Sequence, residues 1–206
     1  MVSILTCAGD TIVICLRPPE MEAANPAYQL LMKSPAPKRK AAVRLHTTLH
    51  ATKNDLSVAT RTKAIALLNQ RLADTFDLYS QTKQAHWNVK GRHFIALHEL
   101  FDKLADMVEG HIDVIAERAQ SLGGTAIGTV RAAAKATSLP EYPIGTDDGF
   151  AHVDALIVRY AAAAKSTRAA IDSADKAGDA DTADLFTAVS RTLDQALWFL
   201  EAHVQA

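Results

Sequence analysis

The sequence predicts an all-α fold, a bundle of four long helices, and three observations carry that prediction. Apolar residues recur at steps of three or four through four long segments. No segment shows the strict alternation of a half-buried strand. The connection between the second and third helices is long, while the other two are short turns.

Taken in order, residues 1–53 read as an irregular tail, because "RPPE", "NPAY" and "SPAPK" interrupt any apolar period. The helical domain spans 54–206. From about residue 57, Leu68, Leu72, Phe76 and Tyr79 form a stripe that leads to His86, and Gly91 is placed to end that helix. The second helix carries Phe94, Leu97, Phe101, Leu104, Val108, Ile112, Ile115, Ala119 and Leu122, and Gly123-Gly124 closes it. A linker through "LPEYPIGTDD" precedes the third, which Asp147 or Asp148 caps and which carries Leu156, Tyr160 and Ile171. "AGDADT" makes the last turn, and Leu185, Val189, Leu193, Leu197 and Leu200 form the fourth stripe. Four helices with one long middle connection describe the ferritin-like variety of four-helix bundle.

Composition narrows the function classes. Of 206 residues, 49% are apolar and 22% charged, enough for one domain with a sizeable core and a tail. A net charge of −1 argues against the whole protein being a polyanion binder, so any contact with nucleic acid has to be local. Both cysteines, Cys7 and Cys15, lie in the tail, which fits a reducing cytoplasm rather than a disulfide framework. The opening "MVSILTCAGDTIVICL" lacks a basic start and contains Asp10, so it fits a secretory signal poorly; it is too short to span a bilayer. Met21 and Met32 are alternative start positions.

The chemistry concentrates in "QAHWNVKGRHFIALHELFD", residues 84 to 102, which holds three of the eight histidines. His98 and Asp102 are four apart and share a helix face, as do Asp113 and Glu117. Either pair alone could be a solvated face, but together these imidazole and carboxylate types suit a divalent first-row metal such as iron. Asp102 and Asp113 are eleven residues apart on one helix, or about 16 Å at about 1.5 Å per residue, too far for one metal to bridge. The two pairs are, however, equidistant from a point between residues 107 and 108. Two antiparallel copies of this helix about a two-fold axis there would set His98 and Asp102 of one chain opposite Glu117 and Asp113 of the other, making two equal sites. His86, one short turn away, can join the same site. His93 and His111 have weaker claims, and Glu109 lies one turn before Asp113.

The stretch "TKQAHWNVKGRHFIALHELFDKLADMVEGHIDVIAERAQSLGG" resembles the Dps family, the DNA-binding proteins from starved cells, which are miniature ferritins. His-Trp-Asn, His-x-x-x-Asp and Asp-x-x-x-Glu appear in order at that family's spacing, and the resemblance extends over about residues 46–206. It implies a hollow homododecamer with an iron site shared across a dimer interface. His86, His98 and Asp102 would come from one subunit, with Asp113 and Glu117 from its mate. Trp87 would stand beside the site, either as a sacrificial electron donor or as packing. The implied reaction oxidises Fe(II) to Fe(III), with hydrogen peroxide favoured over dioxygen, and deposits ferric mineral inside the shell. Two features depart from the family pattern: the tail is longer, and the acidic lining of an iron-entry pore has only Asp147, Asp148 and Asp154 as candidates.

The tail offers a second activity. Lys33, Lys38, Arg39, Lys40 and Arg44 lie in a segment, 33–44, with no acidic residue. Prolines and alanines between the charges suit contacts with the phosphate backbone of double-stranded DNA, without reading sequence. Two readings follow: a ferroxidase and iron store that also binds DNA, cytoplasmic and nucleoid-associated, or a mainly structural DNA-compacting protein whose metal site is vestigial or structural.

Overall fold

The computed structural model describes residues 49–205. Among them are five helices and no strand: α1 Val58–Asn88, α2 Phe94–Ser121, α3 Val130–Ala136, α4 Gly149–Lys176 and α5 Ala180–Glu201. The basic segment 33–44 and both cysteines lie outside the described residues. None of the described helices is long and apolar enough to cross a membrane.

Local chemistry sets the helix ends. The Ser57 hydroxyl accepts from Thr60 N–H at the start of α1, Asp148 from Phe150 and Ala151 N–H at α4, and Asp179 from Thr182 N–H at α5. Each cap satisfies donors that the first helical turn leaves without a partner. At the end of α2, Gly124 N–H reaches the Ala119 carbonyl and Gly123 N–H reaches that of Gln120. This Schellman closure needs the left-handed backbone that Gly123 adopts, with φ +81°. A side chain there would also strike the His50 carbonyl, 2.7 Å from where a Cβ would sit. Gly91 does not cap α1 as the sequence suggested. Val89, extended at φ −59° and ψ 139°, ends that helix, which leaves Lys90 N–H free to donate to the Asp147 carbonyl at 2.9 Å.

α1 packs against α2 and α4 against α5; α1 also contacts α4, and α2 contacts α5. Short turns fold both hairpins back on themselves. The long connection from residue 122 to 148 runs the length of α1, and buried polar side chains of α1 satisfy its backbone. Asn69 bonds to Thr125 and Ile127, Asp74 to Ser138, and Gln81 to the Pro140 carbonyl. α3, seven residues capped by Thr129, sits within this connection, where the sequence suggested only a linker. "RAAAK" favours helix, but seven residues are too few to show a period.

The core holds Leu68, Leu72, Leu78, Phe101, Leu104, Ile115, Leu156, Tyr160 and Phe186, each at most 1% exposed. Two stripes hold in part: Leu68 and Leu72 of α1 and Val189, Leu193 and Leu200 of α5 are buried as expected, while other members stand at the edge of the core. In α1, Leu78 is buried and Phe76 and Tyr79 are only half-buried; in α5, Phe186 is buried and Leu185 and Leu197 lie at the border. In both helices an adjacent apolar residue, Leu78 beside Tyr79 and Phe186 beside Leu185, takes the core position.

Candidate metal centre

The turn between α1 and α2 brings the last turn of one helix against the first turns of the next. His86 and His98 stack there, with ring centroids 3.8 Å apart and planes 22° from parallel. Each His Nδ1 lies 2.9 Å from the backbone carbonyl of the other residue. A carbonyl can only accept, so both Nδ1 atoms carry the proton, and each Nε2 keeps its lone pair. That reciprocal lock fixes tautomer and ring orientation, as outer hydrogen bonds do for metal-binding histidines.

Asp102 follows His98 by one turn, and its Oδ1 is 3.7 Å from the His86 Nδ1. Lys83, on α1 one turn before His86, places its ammonium 2.5 Å from the same oxygen. The Lys83 hydrogen bond holds the Asp102 carboxyl below its ordinary range, and the nearby imidazoles act in the same direction. Lys83 thus stands in the same cluster, a residue that the sequence analysis does not single out. Its position three before His86 and four before Trp87, on one helix face, was the available signal. The Lys83 ammonium also lies 5.9 Å from the centre of the Trp87 ring, which is 67% exposed.

Asp113 and Glu117 are exposed further along α2 and do not join this cluster within the chain. Among the described residues, no group of three or more His, Cys, Asp or Glu side chains is arranged to hold a metal ion. One chain thus offers two bare imidazole nitrogens and one carboxylate, a donor set that fits a first-row metal but leaves it short of ligands. The remaining histidines and acids have other tasks. His93 packs edge-on against Phe150, and His111 Nε2 meets the Thr192 hydroxyl at 2.9 Å, joining α2 to α5. Burial lowers the His111 pKa. Glu109 is exposed; Asp148 is a helix cap and Asp147 reaches Lys90 at 3.5 Å.

Comparison with known proteins bears on the fold and the family. The ferritin-like domain family matches residues 65–206. A DNA protection during starvation protein of Agrobacterium fabrum is 52% identical over 156 residues, covering 76% of this chain and 96% of that protein. Among solved structures, DpsA14 from Streptomyces coelicolor superposes with a TM-score of 0.74 at 38% identity, covering 78% of this chain and 95% of its own. A Dps protein from Bacillus brevis does so with a TM-score of 0.68 at 33% identity, covering 73% of this chain and 100% of its own. With the fold, the order of its helices and these relatives in agreement, the chain belongs to the Dps family of ferritin-like proteins.

Proposed function

We propose that this protein is a ferroxidase and iron store that oxidises Fe(II) with hydrogen peroxide at sites shared between paired subunits of a hollow homododecamer. The observation that carries the reading is the reciprocal His86–His98 lock, which ties each Nδ1 to a backbone carbonyl and leaves each Nε2 to accept a metal, with the Asp102 carboxylate 3.7 Å from the His86 ring nitrogen. A second chain, antiparallel across the two-fold axis, adds Asp113 and Glu117 and completes the ligand set. Fe(II) is the substrate. The carboxylates are hard donors that favour Fe(III), so they lower the barrier to oxidation while leaving positions open for peroxide. Lys83 releases Asp102 as the cation arrives, exchanging one positive partner for another. Two Fe(II) together supply the two electrons that peroxide needs to become two hydroxide ions, without free hydroxyl radical. Trp87, exposed beside the site, is either a sacrificial electron donor or a packing residue there.

DNA binding is the second part of the proposal. The Agrobacterium fabrum relative is named for DNA protection. In this chain Lys33, Lys38, Arg39, Lys40 and Arg44 would supply positive charge for the phosphates of double-stranded DNA, and this supports reading the protein as cytoplasmic and nucleoid-associated. Purified protein mixed anaerobically with Fe(II) should oxidise it promptly when peroxide is added. No acceleration over free Fe(II) would overturn the enzymatic reading and leave the structural, DNA-compacting one.

A further inference from the structure

One buried pair, packed against Phe101 and facing the Asn88 backbone, has no part in the chemistry above. Tyr142, on the long connection, is 7% exposed, and His152, in the first turn of α4, is 0% exposed. The Tyr142 hydroxyl is 2.5 Å from His152 Nδ1. Among the described residues the phenol has no other acceptor, so it donates and the Nδ1 accepts. The imidazole proton is then on Nε2, which faces the Asn88 carbonyl without meeting hydrogen-bond geometry. Buried polar atoms left in this state call for an explanation, and a redox role is among the recognised ones.

The position is suggestive. Asn88 is two residues past His86, and the Phe101 ring, next in sequence to Asp102, stands 6.3 Å from the His152 ring at 67°. Burial lowers the His152 pKa; the Asn88 carbonyl, Asp147 and Asp148 act against it without reversing it. Burial likewise raises the Tyr142 pKa, although the Arg159 guanidinium, 5.6 Å from the ring centre, opposes the rise. A neutral phenol therefore donates to a neutral base. A phenol losing one electron becomes a strong acid, so its oxidation is easy only where a base already holds the proton. His152 is that base, with Asp147 and Asp148 near enough to stabilise its charged form.

We propose that Tyr142 and His152 form a one-electron store for the ferroxidase site, with Tyr142 the electron donor and His152 its proton acceptor. The proposal rests on the ferroxidase reading. When peroxide meets a single Fe(II), the iron gives one electron and Tyr142 the other. The O–O bond breaks, both oxygens leave as hydroxide, and the phenolic proton moves to His152 Nδ1. The products are Fe(III), two hydroxide ions, a neutral tyrosyl radical and a protonated His152. A second Fe(II) then returns an electron to Tyr142, the proton moves back, and the sum is two Fe(II) oxidised per peroxide. Tyr142 thus fits a two-electron oxidant to a substrate arriving one electron at a time. Trp87 differs in being exposed, so a radical there is open to solvent and to loss.

The test uses assembled protein carrying ring-deuterated tyrosine, loaded with less than one Fe(II) per site, mixed with excess peroxide and freeze-quenched for electron paramagnetic resonance. Wild type should give a radical signal narrowed by the deuterium label. Tyr142→Phe should lose that signal, while Tyr79→Phe and Tyr160→Phe keep it. His152→Asn keeps an acceptor near the phenol but no base, and should lower the radical yield roughly tenfold or more. A tyrosyl signal that survives Tyr142→Phe, or its absence from wild type that oxidises iron normally, would overturn the proposal. Failure of wild type to oxidise iron at all would instead remove the ferroxidase reading beneath it. Should Tyr142→Phe not assemble, an unchanged yield in His152→Asn overturns the proposal by itself.

Discussion

Lys83 and Asp102 are bound to each other 2.5 Å apart at the place where a metal would need the carboxylate. The contact links α1 to α2 and neutralises a carboxylate that would otherwise face solvent half-exposed. It also makes the ammonium a competitor of any incoming cation. Lys83→Gln should therefore raise the affinity of the assembled protein for Co(II) or Zn(II) a few-fold, the range expected for an exposed ion pair. Titration calorimetry at low salt checks this, and the difference should shrink as salt screens the pair. Unchanged or weaker binding would mean that Lys83 holds Asp102 in place for the metal.

Subunit mixing tests the shared site directly. A His98→Ala/Asp102→Ala variant and an Asp113→Ala/Glu117→Ala variant should each lose fast iron oxidation while keeping their helical content, since none of the four side chains is buried in the core. A mixed dimer keeps one intact site of its two, so exchanged assemblies should regain activity. Mixtures shown by mass spectrometry to have exchanged, yet still inactive, would rule out the antiparallel register.

Core substitutions distinguish Leu185, the α5 stripe position that the sequence suggested, from Phe186, the neighbour that the structure buries. Phe186→Ala should cost about 3–5 kcal/mol, the range for removing a buried ring. Leu185→Ala, at the border of the core, should cost clearly less, and urea unfolding followed by circular dichroism measures both. Equal losses would return the stripe to Leu185.

That contrast shows which parts of the molecule were legible beforehand. The period of α2 was readable because Leu97, Phe101, Leu104, Val108, Ile115, Ala119 and Leu122 lie on one face along the whole helix, a run long enough to outweigh the neighbouring Leu100, Met107 and Val114. In α5 the consecutive apolar pair Leu185-Phe186 fits two registers, and only packing against the other helices decides. His86, His98 and Asp102 were readable because spacing and a short turn bring them together. Lys83 was not, since a lysine on a helix usually stays in solvent and its partner lies on the next helix. Tyr142 and His152 were beyond reach for a further reason: their contact depends on how an irregular connection lies against α4, which no periodicity encodes.

Stability toward acid should depend on Asp179. Burial pushes its carboxyl up, but the Thr182 hydroxyl and N–H and the Arg118 guanidinium outweigh that and leave it below the ordinary range. A carboxyl depressed in the folded state stabilises the protein above its unfolded pKa of about 3.9 and loses that contribution as pH falls through the folded value. Asp179→Ala should lower stability at pH 7 by about 1–2 kcal/mol through the lost α5 cap. The gap to wild type should close progressively below about pH 4. Thermal melts of both proteins across that range decide it; a gap that persists in strong acid would mean the carboxylate charge contributes nothing.

Truncation separates the two activities. Residues 33–44 concentrate Lys33, Lys38, Arg39, Lys40 and Arg44 with no acid among them, whereas the whole chain carries a net charge of −1. Removing residues 1–45 therefore leaves a more acidic remainder, which DNA phosphates should repel. Every proposed iron ligand and Trp87 lie beyond residue 85, so iron oxidation should continue near its full rate. In the full-length protein, each phosphate neutralised releases counterions, and log affinity should fall with log salt by about 0.9 per phosphate contact. Many tails on one assembly add avidity, so binding at low salt should exceed what a single tail gives and show little sequence preference. Gel shifts over a salt series with both proteins measure this. A truncated protein that still shifts DNA with the same salt dependence would move the binding surface onto the helical domain, and a full-length protein that never does would leave iron chemistry as the sole activity.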